Sequence, residues 1–379
     1  MKHFDRFLRM LLSLSLFSCL LLSSCGDGKR VSFTKLGIPT EEVYAEGIIA
    51  RSPWDMIFFD GKLYVGSGDY DQNAGPVTVY SYDPRRDKWQ KTGTIPEEEV
   101  NRFVPIGDTL YIPGIDPTED WSFGNYYTLE SHEWIKHRVI PHGIHTFDLC
   151  SFDGAFFAAI GTNEGNFPVL RSTDGGENFE GVIFQKDGVS LETDRYEIVR
   201  VYDLLPLDGT LYAIFYYGDA KSQAIELYRY DPAGNRFLYA DDLSGALDRI
   251  KYNHMRITAK ETLGDTLYLV TGKLYATKDL EDIREISLPS ETLVCDLYKE
   301  NGALYLLCAT RVSKEEEDSF KTTVYRLGED GIPYELFHLL YDVPALSLAV
   351  CGNDFYIGTG DTTAQNEKNG MILKVEYTE

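Results

Sequence analysis

Tyr202-Asp203-Leu204-Leu205-Pro206-Leu207-Asp208-Gly209-Thr210-Leu211-Tyr212 carries the reading of the whole chain. Short apolar runs flank Asp208-Gly209, and Asp-Gly between two such runs is among the strongest signals for a two-residue β-hairpin. The same unit returns along the chain: a turn of Gly, Asp or Asn, an apolar residue, an aromatic residue and a short apolar strand. Its seven copies are centred on Leu63-Tyr64, Leu110-Tyr111, Phe156-Phe157, Leu211-Tyr212, Leu267-Tyr268, Leu304-Tyr305 and Phe355-Tyr356. Successive aromatic positions are 47, 46, 55, 56, 37 and 51 residues apart. That period fits one four-stranded sheet per copy, with outer loops of varying length.

A second mark lies upstream of the hairpin. Asp55, Asp148, Asp203 and Asp296 each stand nine residues before their aromatic, a regularity that predicts carboxylates accepting backbone N–H bonds from a neighbouring repeat. Helical periodicity is confined to the stretch from Leu243 to Ile250. The expected fold is therefore all-β: a seven-bladed β-propeller of four-stranded antiparallel blades. The last copy shows strands around Leu348, Tyr356 and Leu373 and stops one strand short. Val31-Ser32-Phe33-Thr34-Lys35-Leu36 is expected to supply that strand, closing the ring and removing an open edge.

The outer strands carry two resemblances. Tyr82-Asp83-Pro84 with Asp87 and Trp89, and Tyr230-Asp231-Pro232 with Asn235 and Phe237, resemble the kelch signature. Ser172-Thr173-Asp174-Gly175-Gly176-Glu177-Asn178-Phe179 is similar to the Asp-box of sialidase-like propellers. That resemblance implies a structural hairpin in which Ser172, Asp174 and Gly176 fix the turn and Phe179 packs into the blade. Both identify a fold and not an activity.

At the N-terminus, Lys2, Arg6 and Arg9 precede an apolar run from Met10 to Leu22, too short for a finished membrane span. It ends in Leu22-Ser23-Ser24-Cys25, which resembles the bacterial lipobox. The resemblance implies acylation of Cys25 and cleavage just before it. Residues 1–24 are then a lipoprotein signal peptide, 25–30 a short tether and 31–379 the propeller. Gly26 after the Cys resembles the sorting pattern for the outer membrane, if the cell has two membranes. The expected address is the cell envelope, with the membrane as a partner through the lipid on Cys25.

With 60 acidic against 36 basic residues and a net charge of -24, nucleic acid is excluded as a partner, because duplex affinity comes mainly from Lys and Arg on phosphates. Nucleophile-elbow, zinc-helix, phosphate-loop and dinucleotide motifs are missing, so no catalytic residue, cofactor or metal is expected. Asp69, Asp71 and Asn73 mimic the start of a calcium loop, but Ala74 and Tyr80 occupy positions that need Gly and a bidentate Glu. If Asn301-Gly302 is a two-residue loop, Cys295 falls opposite Cys308. The pair is then either a cross-strand disulfide or two buried thiols.

Arg51, His145, Arg200 and Arg256 all lie 12 or 13 residues before their aromatic. That position starts an innermost strand, so the four are expected around one mouth of the central channel, where Arg forks would favour an anionic ligand. Arg102 and His254 are further candidates at different spacing. Alternatively, the strand ends there are simply polar and hydrated. The leading functional expectation is a binding or scaffold module for a glycan or protein at the envelope. The alternatives are a glycan-active enzyme of sialidase-like architecture, with an acid such as Asp55 or Asp203, and a subunit of an envelope assembly complex.

Overall fold

The computed structural model describes residues 23–24, 30–162, 167–219, 221–252, 257–289, 292–312, 320–361 and 366–378. Cys25, His254 and Arg256 lie outside the described residues, as does most of the expected signal peptide. Among the described residues no helix is long and apolar enough to cross a membrane.

The fold is an all-β propeller of four-stranded antiparallel blades. Each sequence repeat begins as a hairpin, and the chain chemistry explains why. Asp60-Gly61, Asp153-Gly154, Asp208-Gly209 and Asn301-Gly302 have positive φ at both positions, while Gly107, Gly264 and Gly352 take the positive φ at the first. These are the two turn geometries whose twist matches that of the flanking strands. All seven are two-residue loops, with pairings such as Phe59↔Lys62, Leu207↔Thr210 and Cys351↔Asp354.

Five blades stand as discrete sheets, and the expectation of seven separate blades is corrected on this point. The first runs from Asp55–Phe59 to Lys88–Ile95 and the second from Val104–Ile106 to Glu133–Pro141. The next discrete blades span Ala259–Leu263 to Ile283–Ile286 and Leu293–Glu300 to Pro333–Tyr341. The closing blade holds Ala345–Cys351, Asp354–Thr359, Ile372–Tyr377 and Arg30–Gly37, extended at its edge by Ser23–Ser24. The third and fourth sequence copies do not separate. Strands Ala155–Thr162 and Ile198–Leu207 run on past their own hairpins and pair at Gly161↔Arg200 and Thr162↔Val199. This makes one twelve-stranded sheet, joined also by Glu97–Glu99 and Ile115–Pro117.

The N-terminal strand does pair with the last strand, from Val31↔Tyr377 to Lys35↔Leu373. Val31 and Phe33 are buried there with Phe337, Leu339 and Val375. The Trp89 indole N–H also donates to Leu36 O at 2.8 Å, tying the closing strand to the first blade.

The spaced carboxylates act as staples between repeats, as expected. Asp55 accepts from Phe103 N at 2.6 Å, Asp148 from Leu204 N at 2.9 Å, Asp203 from Ile257 N at 3.0 Å and Asp296 from Leu348 N at 2.7 Å. Ser347 takes the same position in the last repeat, and its hydroxyl donates to Pro53 O at 2.6 Å, so the ring is stapled shut. Such hydrogen bonds contribute roughly 0.5–1.5 kcal/mol each when neutral and 1.5–3 kcal/mol when one partner is charged. A β-bulge precedes each of Asp148, Asp203, Asp296 and Ser347. It bends the strand and re-aims the next side chain toward the neighbouring repeat.

The outer-strand hairpins also have a local logic. Tyr82 donates to Asp87 and Tyr230 donates to Asn235 at 2.9 Å. Asp87 and Asn235 hold the left-handed turn position. In the single hairpin at 172–179, Gly176 N donates to Ser172 Oγ at 2.9 Å and Asn178 N to Asp174 Oδ1 at 3.0 Å. Phe179 packs against Tyr126 and Phe156.

Candidate functional site

The fused sheet places several sequence candidates in one line. Across it, Glu99, Ile115, His145, Gly161, Arg200, Tyr216 and Ile225 are successive partners in a single row of the ladder. Residues directly opposite one another in antiparallel strands share a face, so His145, Arg200 and Tyr216 belong to one surface. Gly161 sits between His145 and Arg200, and a Cβ there would meet the Phe147 ring at 2.8 Å and the His145 ring at 3.1 Å. The glycine lets the two rings close over the strand.

Phe147 and Tyr202 are the residues left over at the bulges, which turns them onto this surface. The rings run on in sequence: His145 to Phe147 at 5.3 Å, Phe147 to Tyr202 at 4.6 Å and Tyr202 to Tyr216 at 6.2 Å. Phe147, Tyr202 and Tyr216 are buried and form the floor. Arg200 and His145 are half-buried above it. Arg200 Nη1 donates to the Tyr202 hydroxyl at 3.0 Å, and His145 Nδ1 lies 3.2 Å from Asp116 Oδ1. Asp116 adopts the left-handed φ of 53°. Burial, helped by the nearby Glu98, pushes its carboxyl up to about 6, although Arg200 opposes this. Asp116 had no mark in the sequence, since it follows neither the repeat nor any motif.

The other sequence candidates are placed differently. Arg51 is buried away from this surface, where its guanidinium donates to Tyr44 O at 2.8 Å and Ala45 O at 2.9 Å and faces Glu367 at 3.7 Å. It pins the loop before the first blade. Arg102 lies inside the ring, 3.2 Å from Asp148 and 3.8 Å from Asp203. Asp55 and Asp203, the acids required by the enzyme alternative, are committed to backbone N–H groups of the adjoining repeat. The ring of four mouth cations is thus reduced to His145 and Arg200 among the described residues.

Cys295 does not lie opposite Cys308. The bulge falls on Cys295 itself, so Val294 takes the position opposite Cys308. Both are free thiols, and burial pushes the Cys295 thiol up to about 12. Among the described residues no cluster of His, Cys, Asp and Glu has metal-binding geometry. A cleft of about 460 Å³ lies among the Asp208-Gly209 and Gly264-Asp265 turns, at the other end of the strand that carries Arg200. Its lysine, Lys278, is paired with Asp265.

Beside the row, Glu97 is fully buried, accepting from Asn125 Nδ2 at 2.6 Å and the Tyr127 hydroxyl at 2.8 Å. Burial pushes its carboxyl up to about 7 despite those two bonds. A raised carboxyl penalises the folded state above its own titration point, and the penalty fades as pH falls through it. Glu97→Gln is therefore expected to stabilise the protein at pH 8 by about 1–3 kcal/mol and to be neutral at pH 5. Denaturant titrations at the two pH values check this. Equal destabilisation at both would show that the charge is not what matters.

No described sequence family and no curated protein matches the chain. Among solved structures, similarity is found to virginiamycin B lyase from Staphylococcus aureus, at 10% identity over 91% of this chain and 99% of that one, with a TM-score of 0.47. A chain of the mitotic checkpoint complex is similar at 10% identity, covering 85% of this chain and 86% of that one, with a TM-score of 0.48. Puromycin hydrolase is similar at 14% identity over 82% of this chain and 51% of that one, with a TM-score of 0.49.

Proposed function

We propose that the protein is a binding or scaffold module of the cell envelope, tethered by lipid on Cys25, that presents the row on its fused sheet to a glycan or protein. The observation that carries this reading is the alignment of His145, Arg200 and Tyr216 on one face. Such a row offers polar and charged groups on a rigid sheet, which is what a preorganised recognition surface needs. In a cell with two membranes the tether belongs to the outer one. The Leu22-Ser23-Ser24-Cys25 signal supports the tether, and Gly26 after the Cys supports the outer-membrane placement.

The platform is tested by glycan-array binding of the protein beside a His145→Ala, Arg200→Ala double variant. At least tenfold weaker binding by the variant is expected, and equal binding by both would remove the platform as the recognition face. The tether is tested by Cys25→Ser, which should move the protein from the membrane fraction to the soluble fraction. Retention in the membrane would overturn it.

A further inference from the structure

We propose that the corner of the platform formed by Arg200, His145 and Asp116 holds the carboxylate of an acidic sugar, with the sugar's hydroxyls donating to Asp116. The inference rests on the reading of the fused sheet as the binding face and names what that face selects.

The first observation is the setting of Arg200. It is half-buried, its Nη1 is held by the Tyr202 hydroxyl at 3.0 Å above a floor of three rings, and it forms no ion pair with a carboxylate among the described residues. A guanidinium keeps its charge at any physiological pH and offers a planar fork that matches a carboxylate. The apolar floor of Phe147, Tyr202 and Tyr216 lowers the local dielectric and strengthens such a pairing.

The second observation is the company Arg200 keeps. Asp116 and Glu98 lie close enough to influence one another, as does Asp71, and Glu99 starts the same ladder row. Glu98 itself accepts from Gly75 N at 2.6 Å. Those acids would repel a polymer crowded with sulfate or phosphate. They suit a ligand with one negative charge per sugar ring and several hydroxyl donors, which is the description of a uronic-acid sugar or its short oligomers.

Asp116 also gives the site a direction with pH. The charged or titratable groups around it are His145 on its contact side, Arg200, Tyr202 and Tyr216 across the sheet, and Glu98, Glu99 and Asp71 from the adjoining segments. As pH falls through about 6, Asp116 loses its charge. One repulsive group near the bound carboxylate disappears, while the carbonyl oxygen of the protonated carboxyl still accepts from a sugar hydroxyl and a uronic carboxyl stays ionised.

The test uses the full chain in detergent, with trigalacturonate and its methyl ester as probes, by isothermal titration at pH 7.5 and 5.5. Trigalacturonate should bind at least tenfold tighter than the ester, and tighter at pH 5.5 than at 7.5 by threefold or more. Arg200→Ala should lose at least tenfold for trigalacturonate and little for the ester. Arg200→Lys, which keeps the charge but not the fork, should fall between them and covers the case in which the alanine variant fails to fold. Asp116→Asn should bind at pH 7.5 as the parent does at pH 5.5. Equal affinity for the two probes, no binding of trigalacturonate, or indifference to Arg200 would overturn the inference. Array binding of neutral glycans that still depends on His145 and Arg200 would overturn it while leaving the platform reading intact.

Discussion

Deletion of residues 31–37 is expected to abolish cooperative unfolding and drive the chain into soluble aggregates. The strand supplies the outer edge of the closing blade, from Val31↔Tyr377 to Lys35↔Leu373. Val31 and Phe33 are 0% and 6% exposed in the cluster with Phe337, Val375 and Tyr377. Burying two such side chains is worth about 1.5–3 kcal/mol each, before the ladder and the Trp89 bond to Leu36 are counted. Natural domains are stable by only about 5–15 kcal/mol in total, so losing all of these at once removes most of that margin. The deletion also leaves the Ile372–Tyr377 strand with unpaired N–H and C=O groups along an apolar edge, a template for pairing with other chains. Phe33→Ala isolates the packing part and should cost about 3–5 kcal/mol. Size-exclusion chromatography and thermal melting followed by near-ultraviolet dichroism read both. An unchanged melting temperature for Phe33→Ala would show that closure does not depend on this strand.

Closure was legible because it follows from counting strands, and so was the staple role of the four Asp residues, since their spacing is fixed by a hairpin of constant length. The separation of the blades was not. Whether two neighbouring repeats stay apart depends on how far their strands extend beyond the hairpin, and Gly161↔Arg200 is a pairing between repeats that no periodicity records. The bulges were equally hidden. A one-residue insertion leaves the alternation of a short apolar strand almost unchanged in sequence, yet it moves every residue beyond it by one register position. The same event at Cys295 breaks the expected opposition to Cys308, and at Phe147 and Tyr202 it builds the floor of the platform. Arg51 shows the remaining failure. Equal spacing put it beside His145 and Arg200, but its side chain satisfies the carbonyls of Tyr44 and Ala45, which lie in a loop that the repeat does not include.

Arg102→Met is expected to destabilise the protein by about 3–5 kcal/mol at pH 7, the usual cost of removing one partner from a buried ion network. Its guanidinium and the Lys260 ammonium lie together between Asp148 and Asp203. Both carboxylates are almost wholly buried, and both also staple backbone N–H groups. Burial alone would push the Asp148 carboxyl up, but Lys260 and Arg102 more than reverse this and hold it below the usual carboxylate range. A depressed carboxyl contributes stability that is present above its unfolded value, near 3.9, and is lost as pH falls through its folded value. The gap between parent and Arg102→Met should therefore be widest at neutral pH and narrow below about pH 4. Adding Asp203→Asn to Arg102→Met removes one of the stranded charges and should restore part of the loss, giving a coupling of about 1 kcal/mol or more. Guanidinium denaturation at pH 7 and pH 4 measures all three proteins. A cost below about 1 kcal/mol for Arg102→Met, or one that does not change with pH, would mean that Lys260 alone neutralises the pair and that Arg102 is spare.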